Sequence, residues 1–243
     1  MARCEGPNLT HRIVEALGVA IVSGAYSPKN PFPIEADLCI QYGASRTVLR
    51  EAVKMLTAKG LLSARPRQGT WIKSEASWNL LDPDVLRWLL ERKITFSTLR
   101  DFAQMRLAIE PQAAALAATV ASPEAKGAIR AAINEMVRAE EGESDPLVSE
   151  IAFHGAILRA SGNCFFAQLS GVTETALRFS LRMQECYHDG RKRRTREHQR
   201  IADAIFAGDP VAAEEAARVL LNHALNLIDE AEGVVEPELR NAS

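Results

Sequence analysis

Three side chains in the second half of this sequence have types and a spacing that suggest metal chemistry. Glu150 and His154 are four residues apart, so a helix would place the carboxylate and the imidazole on one face, and His198 lies near the start of another predicted helix. Carboxylate oxygen and imidazole nitrogen are ligands for divalent ions such as Zn, Ni or Mn. The three side chains could therefore hold one ion. The alternative is ordinary, because a glutamate and a histidine at this spacing often form a surface pair.

A second group of side chains is basic and suits contact with a nucleic acid. Between Tyr42 and Lys73 the sequence has seven lysines and arginines and one acidic residue, and such an excess favours binding to phosphates. Arginine can pair with guanine through two hydrogen bonds, and serine or threonine can contact a base or a phosphate. The residues with this chemistry at the start of one predicted helix are Ser45, Arg46, Thr47 and Arg50. The alternative is a solvated helix surface on which the two arginines are neighbours.

The elements that must position the basic group form a helix-turn-helix followed by a hairpin. Apolar residues recur at helical spacing from Leu9, prolines then delay the next helix, and Ser45 is a suitable N-cap. We predict helices over residues 9–23, 35–41 and 46–59, and strands over residues 61–64 and 70–73. The hairpin between the strands contains Arg65, Arg67 and Gly69, and such a hairpin beside a helix-turn-helix is a wing.

The rest of the chain is predicted to be helical. A capping residue followed by proline, typical of a helix start, recurs at Asp82, Ser122, Asp145 and Asp209. We predict helices over residues 83–92, 97–121, 123–141, 146–161, 164–188, 195–207 and 210–231. The fold class is therefore mostly α, with an N-terminal winged helix-turn-helix domain over residues 1–76 and a C-terminal all-helical antiparallel bundle over residues 77–243.

Composition limits the class of protein. With 47% apolar and 25% charged residues, the 243-residue chain can bury one or two cores. No run approaches the ~18 consecutive apolar residues of a membrane span, and the N-terminus lacks a secretion signal. The four cysteines form no C-x-x-C pair, which argues against a disulfide framework. We expect a soluble cytoplasmic protein.

The segment GASRTVLREAVKMLTAKGLLSARPRQGTWI, residues 43–72, resembles the winged helix-turn-helix of the GntR family of bacterial transcription regulators. The resemblance implies that the second helix of the motif reads an operator in double-stranded DNA and that the wing contacts the DNA backbone or minor groove. The residues implied in DNA contact are Ser45, Arg46, Thr47, Arg50, Arg65, Arg67 and Gly69. One departure is Ala36, which occupies a position where many members have an arginine.

Three segments, VLRWLLERKITFSTLRDFAQMRLAIEPQAAALAA (residues 85–118), FHGAILRASGN (residues 153–163) and REHQRIADAIFAGDP (residues 196–210), resemble the FCD domain of the FadR-like branch of that family. The resemblance implies a divalent metal ion beneath a small carboxylate effector. The ligands that it implies are Glu150, His154 and His198. The position expected for a further histidine is Leu220, and His223, one helical turn later, is the candidate substitute.

Arg106 matches an arginine that lines the effector pocket in the family, and a guanidinium suits a carboxylate. It could instead form an internal salt bridge with Glu110 or Glu150. Thr195 is also assigned to the effector site, at the predicted start of the helix that bears His198. The runs WNLLDPDVLRW and AIEPQAAALAA resemble sugar-acid-responsive members of the branch more than the fatty-acyl-responsive one.

Together these features favour a homodimeric, ligand-responsive transcription regulator, expected to be a repressor, which binds an operator and a small carboxylate or sugar acid. A dimer is expected because one recognition helix covers only a few base pairs. A metal-dependent enzyme and a direct metal sensor, each using His154 and His198, are the alternatives. The sequence has no nucleophile motif such as G-x-S-x-G or H-E-x-x-H, so we expect no enzyme activity.

Overall fold

The computed structural model describes residues 9–27, 30–65, 69–92, 95–184 and 191–241. The chain divides into two compact units, residues 1–93 and residues 94–243. Within the described residues, no helix is both long enough and apolar enough to cross a membrane.

The N-terminal unit contains a helix-turn-helix followed by a β-hairpin. Its first elements are α1 (Leu9–Val22), α2 (Glu35–Tyr42), α3 (Arg46–Ala58), β1 (Leu62–Arg65) and β2 (Gly69–Ile72). The buried face of α1 has Ile13, Leu17 and Ile21 at helical spacing, and α1 packs against α3. The structure thus confirms the predicted winged helix-turn-helix, and the ends of these elements differ from the prediction by at most one residue.

The turn between α2 and α3 follows from two residues. α2 ends at Tyr42 and is capped by Gly43, whose φ of +58° is left-handed and suits a residue without a side chain. Ser45 then caps α3, because its hydroxyl accepts a hydrogen bond from the Val48 amide at 3.4 Å. These local preferences set where the recognition helix begins.

The N-terminal unit also includes the segment that follows the hairpin. A 3₁₀ turn (Glu75–Ser77) and α4 (Pro83–Leu89) come after β2. Trp88 is buried with its ring against Gly18 of α1, where an added methyl group would lie 2.5 Å from the ring carbons. The unit therefore extends to residue 93, beyond the boundary predicted after residue 76, because α4 completes the core around α1.

A largely buried lysine joins the end of α3 to this segment. The Lys59 ammonium donates to both carboxylate oxygens of Asp82 at 2.8 Å and lies 2.8 Å from Asp84 Oδ2. Burial lowers the pKa of Lys59, but the two carboxylates raise it by more, so the net shift is upward. The Asn79 amide also donates to the Lys59 carbonyl at 3.0 Å. Ion pairs and hydrogen bonds therefore hold the end of α3 to residues 79–84.

The C-terminal unit is helical in all of its regular elements that the structure describes, as predicted. Its helices are α5 (Phe96–Val120), α6 (Pro123–Glu140), α7 (Pro146–Ala160), α8 (Cys164–Gln168), α9 (Ser170–Gln184), α10 (Arg191–Ala207) and α11 (Pro210–Asn241). α5 packs against α11, α6 against α7, and α10 against α11. The core face of α5 includes Ala113, Ala114 and Ala117, whose small side chains allow other helices to approach closely.

Several helix ends differ from the prediction. The helix expected over residues 164–188 is divided at Leu169, where the Ser170 hydroxyl donates to the Ala167 carbonyl at 2.9 Å, and its predicted last residues, 185–188, lie outside the described residues. α4 ends at Leu89 instead of 92. α10 begins at Arg191 instead of 195, so Thr195 lies inside the helix and is not its N-cap. α11 continues to Asn241 instead of 231, so neither Gly233 nor Pro237 ends it.

Gly60→Ala should destabilise the N-terminal unit. Gly60 has a φ of +80°, and an added methyl group would collide with the Ser77 carbonyl oxygen and lie 3.2 Å from the Asn79 amide nitrogen. Gly24→Ala is the matched control, because Gly24 has a φ of +78° but no atom within 4 Å of the added methyl group. We expect Gly60→Ala to lower the free energy of unfolding by about 1–3 kcal/mol more than Gly24→Ala does.

The measurement is urea unfolding followed by tryptophan fluorescence. All three tryptophans, Trp71, Trp78 and Trp88, lie in the N-terminal unit, so the signal reports on that unit alone. Equal midpoints for the two variants would show that the segment after the wing yields to the added methyl group and does not hold the end of α3.

Candidate functional site

The start of α3 presents the predicted basic group to solvent. The side chains of Arg46 and Arg50 are 76% and 66% exposed and lie one helical turn apart. Ser45 and Thr47 are exposed as well, while Leu49 of the same helix is buried in the core. Leu49 and the capping serine fix the helix, so the two guanidinium groups project together from one end of it.

A carboxylate that the sequence analysis did not assign lies between these two arginines. Glu35, the first residue of α2, accepts a hydrogen bond from Arg50 Nε at 3.1 Å, and its other oxygen lies 4.0 Å from Arg46 Nε. The sequence alone offers little indication of this contact, because an acidic residue such as Glu35 in the first turn of a helix is common for reasons of the helix dipole alone. The contact depends on how the turn folds α2 against α3.

The wing contains the other residues predicted to contact DNA. β1 and β2 pair antiparallel, with Arg65 opposite Gly69 at the hairpin end. Arg65 is exposed, and its guanidinium lies 5.6 Å from the centre of the Trp71 ring, a cation–π distance. Gly69 has a φ of +90°, which a glycine adopts without steric cost as the chain enters β2. Arg67 lies outside the described residues.

The second predicted group comes together in the helical unit. His154 on α7 and His198 on α10 are both buried, and their Nε2 atoms are 3.1 Å apart. Glu150, one turn before His154, has a carboxylate oxygen 3.9 Å from His198 Nε2. One ligand atom from each residue lies within 4.8 Å of the other two. The structure thus places the three side chains that the sequence selected around one point.

A buried carboxylate lies on the other side of His154. Glu110 Oε2 accepts a hydrogen bond from His154 Nδ1 at 2.8 Å, and Arg106 of the same helix lies 2.7 Å from Oε1 through its Nε. Burial raises the pKa of Glu110, but Arg106 and His154 lower it by more, so this pKa lies well below its usual range. Of the partners considered for Arg106, the structure contains the internal salt bridge to Glu110.

A small cavity lies beside this cluster. Its volume is about 10 Å³ for a water-sized sphere, room for about one water molecule. Glu110 and His154 form its polar wall, and Ile201 and Leu220 are among its apolar lining. Leu220 is the position at which the resemblance led us to expect a further histidine, and it does face the site.

The structure does not bring His223 to the other three residues. Its Nδ1 lies 3.7 Å from Glu197 Oε2 on α10, and it is absent from the group of ligand atoms around His154 among the described residues. α11 turns Leu220 toward the cavity, which directs His223 to a different partner. Thr195 is buried within α10, one turn before His198.

The donor set fits a divalent transition-metal ion. Two nitrogen ligands at about 2.0–2.1 Å from one ion lie about 2.8–3.4 Å apart for bond angles between the octahedral and the tetrahedral value, and the observed separation is 3.1 Å. Two imidazoles and one carboxylate suit Zn, Ni or Mn. The cluster could also persist without an ion, because one imidazole can donate to the other across the same distance.

Comparison with known proteins agrees with both halves of the structure. Residues 9–72 match the family model of bacterial regulatory proteins of the gntR family, and residues 101–223 match the model of the FCD domain. The first match contains the helix-turn-helix and the wing. The second contains Arg106, Glu110 and the histidine cluster.

Two bacterial regulators are similar over most of the chain. The uncharacterized HTH-type transcriptional regulator YieP of Escherichia coli K12 is 34% identical over 88% of this chain and 93% of its own length. The galactonate operon transcriptional repressor of the same organism is 33% identical over 88% of this chain and 94% of its own length.

A solved structure shows the same fold. The Escherichia coli protein McbR/YncC aligns with a TM-score of 0.52 and 17% identity over 93% of this chain and 99% of its own.

The matches over both units, together with the exposed arginines on the helix-turn-helix, lead to one assignment. The chain belongs to the GntR family of bacterial regulatory proteins, has an FCD domain as its helical unit, and is a DNA-binding transcription regulator.

Proposed function

We propose that this regulator is a homodimeric, effector-responsive repressor whose FCD domain binds a small sugar acid together with a divalent ion of Zn, Ni or Mn. The observation that carries the proposal is the buried cluster of Glu150, His154 and His198 in the helical unit. A regulator needs no such cluster in order to bind DNA. Its place in the core of the other unit therefore supports a role in sensing.

The start of α3 suits the major groove of an operator. A helix-turn-helix places the N-terminal residues of its second helix against base edges, and here those residues are exposed and include two arginines one turn apart. Arginine can pair with guanine O6 and N7 through two hydrogen bonds. The wing arginine Arg65 is suited to phosphates, which carry no sequence information directly.

A dimer is proposed because a single recognition helix has too short a reach. One such helix contacts only a few base pairs, and two-fold regulators read half-sites spaced by about one DNA turn or its multiples. An effector that changes the spacing of the two heads would then change affinity for the operator, and the operator would change affinity for the effector by the same factor.

The proposed effector is a sugar acid because its functional groups suit the cluster. The relative named as a galactonate operon repressor points to this class, since galactonate is a polyhydroxy carboxylate. A bound divalent ion would supply positive charge and coordination positions for carboxylate and hydroxyl oxygens. Glu150, His154 and His198 would hold the ion, and Arg106, with Thr195 on the helix of His198, would bind the acid.

A direct metal sensor is the second candidate, because the cavity beside His154 has room for about one water molecule. An ion can enter such a space, whereas a sugar acid requires the helices to separate. Titration of operator binding with chelator, metal and galactonate separates the candidates. A sensor responds to metal alone, the proposed regulator responds to the acid in the presence of metal, and an enzyme would consume the acid.

Arg46→Ala should weaken specific DNA binding. We expect a loss of about 1–3 kcal/mol on the chain's own promoter and a relaxed base preference, because a bidentate contact to a base is removed.

Arg65→Ala should instead weaken binding to all duplexes and lower the slope of log affinity against log salt by about one. Fluorescence anisotropy at several salt concentrations measures both effects, and Arg138→Ala on α6 is the control. Equal losses of specificity in the first two variants would contradict this division of roles.

Glu35→Gln should increase affinity for random duplex DNA. The change removes a negative charge beside Arg46 and Arg50, so both become freer to contact phosphates, with an expected gain of about 0.2–1 kcal/mol for an exposed pair. Preference for the promoter over random duplex should fall. Glu75→Gln, which removes an exposed partner of Arg92 in the same unit, is the matched control. Unchanged binding to random duplex would show that Glu35 does not compete with DNA for the arginines.

Zn²⁺, Ni²⁺ or Mn²⁺ should stabilise the helical unit through the histidine cluster. At a free concentration of a hundred times Kd, a bound ion adds about 2.7 kcal/mol to the free energy of unfolding, which circular dichroism at varied temperature can follow. His154→Ala and His198→Ala should abolish this gain, and chelator should reverse it in the unaltered chain. His223→Ala is the control and should retain the gain, because His223 lies beside Glu197. An equal loss in His223→Ala would place that residue among the ligands.

A further inference from the structure

We propose that Glu110 is a positioning residue, which holds His154 with Nδ1 protonated and Nε2 directed at the metal site, and which ties this imidazole to Arg106. The inference rests on the proposed function, since it concerns the same site. It gives Glu110 a role beyond the salt bridge with Arg106 that the sequence suggested.

The two ring nitrogens of His154 have different partners. Nδ1 lies 2.8 Å from Glu110 Oε2, and Nε2 lies 3.1 Å from His198 Nε2. An ionised carboxylate is an acceptor only, so the proton of a neutral His154 belongs on Nδ1. The lone pair of Nε2 then faces His198 and Glu150, the position at which an ion would bind. A carboxylate behind a metal-binding histidine fixes both its tautomer and the orientation of its ring.

Glu110 is itself held firmly. Arg106 donates to it through Nε at 2.7 Å and through Nη2 at 3.2 Å, and the Thr173 hydroxyl on α9 donates to Oε1 at 3.2 Å. The side chains of Glu110, Arg106 and His154 are at most 7% exposed. The carboxylate therefore receives hydrogen bonds from three helices, with little water to compete for it.

This arrangement links the proposed acid site to the proposed metal site. A carboxylate ligand that binds Arg106 must share the guanidinium with Glu110 or draw it away. Either change alters the hydrogen bond that Glu110 accepts from His154. Acid and ion are then coupled, and each should change the affinity for the other by the same factor.

The first experiment needs no metal. Long-range ¹H–¹⁵N spectra of ¹⁵N-histidine-labelled, metal-free full-length protein report the tautomer of each imidazole, and His154→Gln identifies the His154 signals. We expect the Nδ1–H form for His154 in the unaltered chain and a mixture of forms in Glu110→Gln. Glu174→Gln is the matched control, because Glu174 forms a half-exposed ion pair with Arg178, four residues later on α9. An Nε2–H form in the unaltered chain would overturn the proposal.

The second experiment measures the affinity for Zn²⁺ by competition with a chromophoric chelator. Glu110→Gln should lower it about 10–100-fold, as loss of a carboxylate behind a metal-bound histidine does in other sites, while Glu174→Gln should leave it unchanged. The double variant Arg106→Met with Glu110→Leu leaves no unpaired buried charge and should show the same loss, so a folding defect in the single variant does not decide the question. An affinity within threefold of the unaltered chain in the double variant would overturn the role of Glu110.

The two experiments separate this inference from the proposed function. If the unaltered chain binds no Zn²⁺, Ni²⁺ or Mn²⁺, the proposed metal site is contradicted, and so is the claim that Glu110 affects a bound ion. The tautomer of His154 still decides on its own whether Glu110 holds that ring. If metal binds tightly and Glu110→Gln changes neither readout, the site stands and the inference fails.

Discussion

Burial of charge among helices is the constraint on which the helical unit depends. An unpaired charge in a protein core costs several kcal/mol, and removing one partner of a buried pair typically costs about 3–5 kcal/mol. The unit nevertheless buries a guanidinium, a carboxylate and two imidazoles close together. Each of these groups can be buried because a neighbouring group neutralises its charge or forms a hydrogen bond with it. α5 supplies Arg106 and Glu110 four residues apart, and α7 and α9 supply the partners of the carboxylate. These polar contacts fix the relative position of three helices within a core that is otherwise apolar.

In the N-terminal unit, ion pairs and close packing also hold separate segments of the chain together. Lys59 at the end of α3 is held by Asp82 and Asp84, and Trp88 packs against Gly18 of α1. The recognition helix is therefore bonded to the segment that completes the core of its own unit. Movement of that segment cannot be independent of α3, because the ion pairs and the backbone hydrogen bond from Asn79 would have to break first.

Local chemistry in the sequence predicted much of this architecture, and contacts between distant segments account for what it missed. Ser45 and Asp145 cap their helices as expected, because capping depends only on the next three residues. That Glu150 and His154 lie on one helix face follows from their helical spacing. The role of Glu110 could not be predicted in this way, since its contact with His154 arises only when α5 packs against α7. Glu35 was missed for a similar reason.

The errors have physical causes of the same kind. His223 was assigned by its distance along α11 from Leu220, but the rotation of that helix in the core directs it to Glu197. Thr195 has the chemistry of a cap, yet α10 begins one turn earlier, at Arg191. Local propensity shows that a helix exists more reliably than where it ends.

The alanine-rich face of α5 has a mechanical consequence. Alanine has no side-chain torsion, so Ala113, Ala114 and Ala117 cannot absorb a shift by changing rotamer. Close-packed interiors transmit strain instead of dissipating it. A small axial translation of α5 would therefore be passed on to α11, which packs against it.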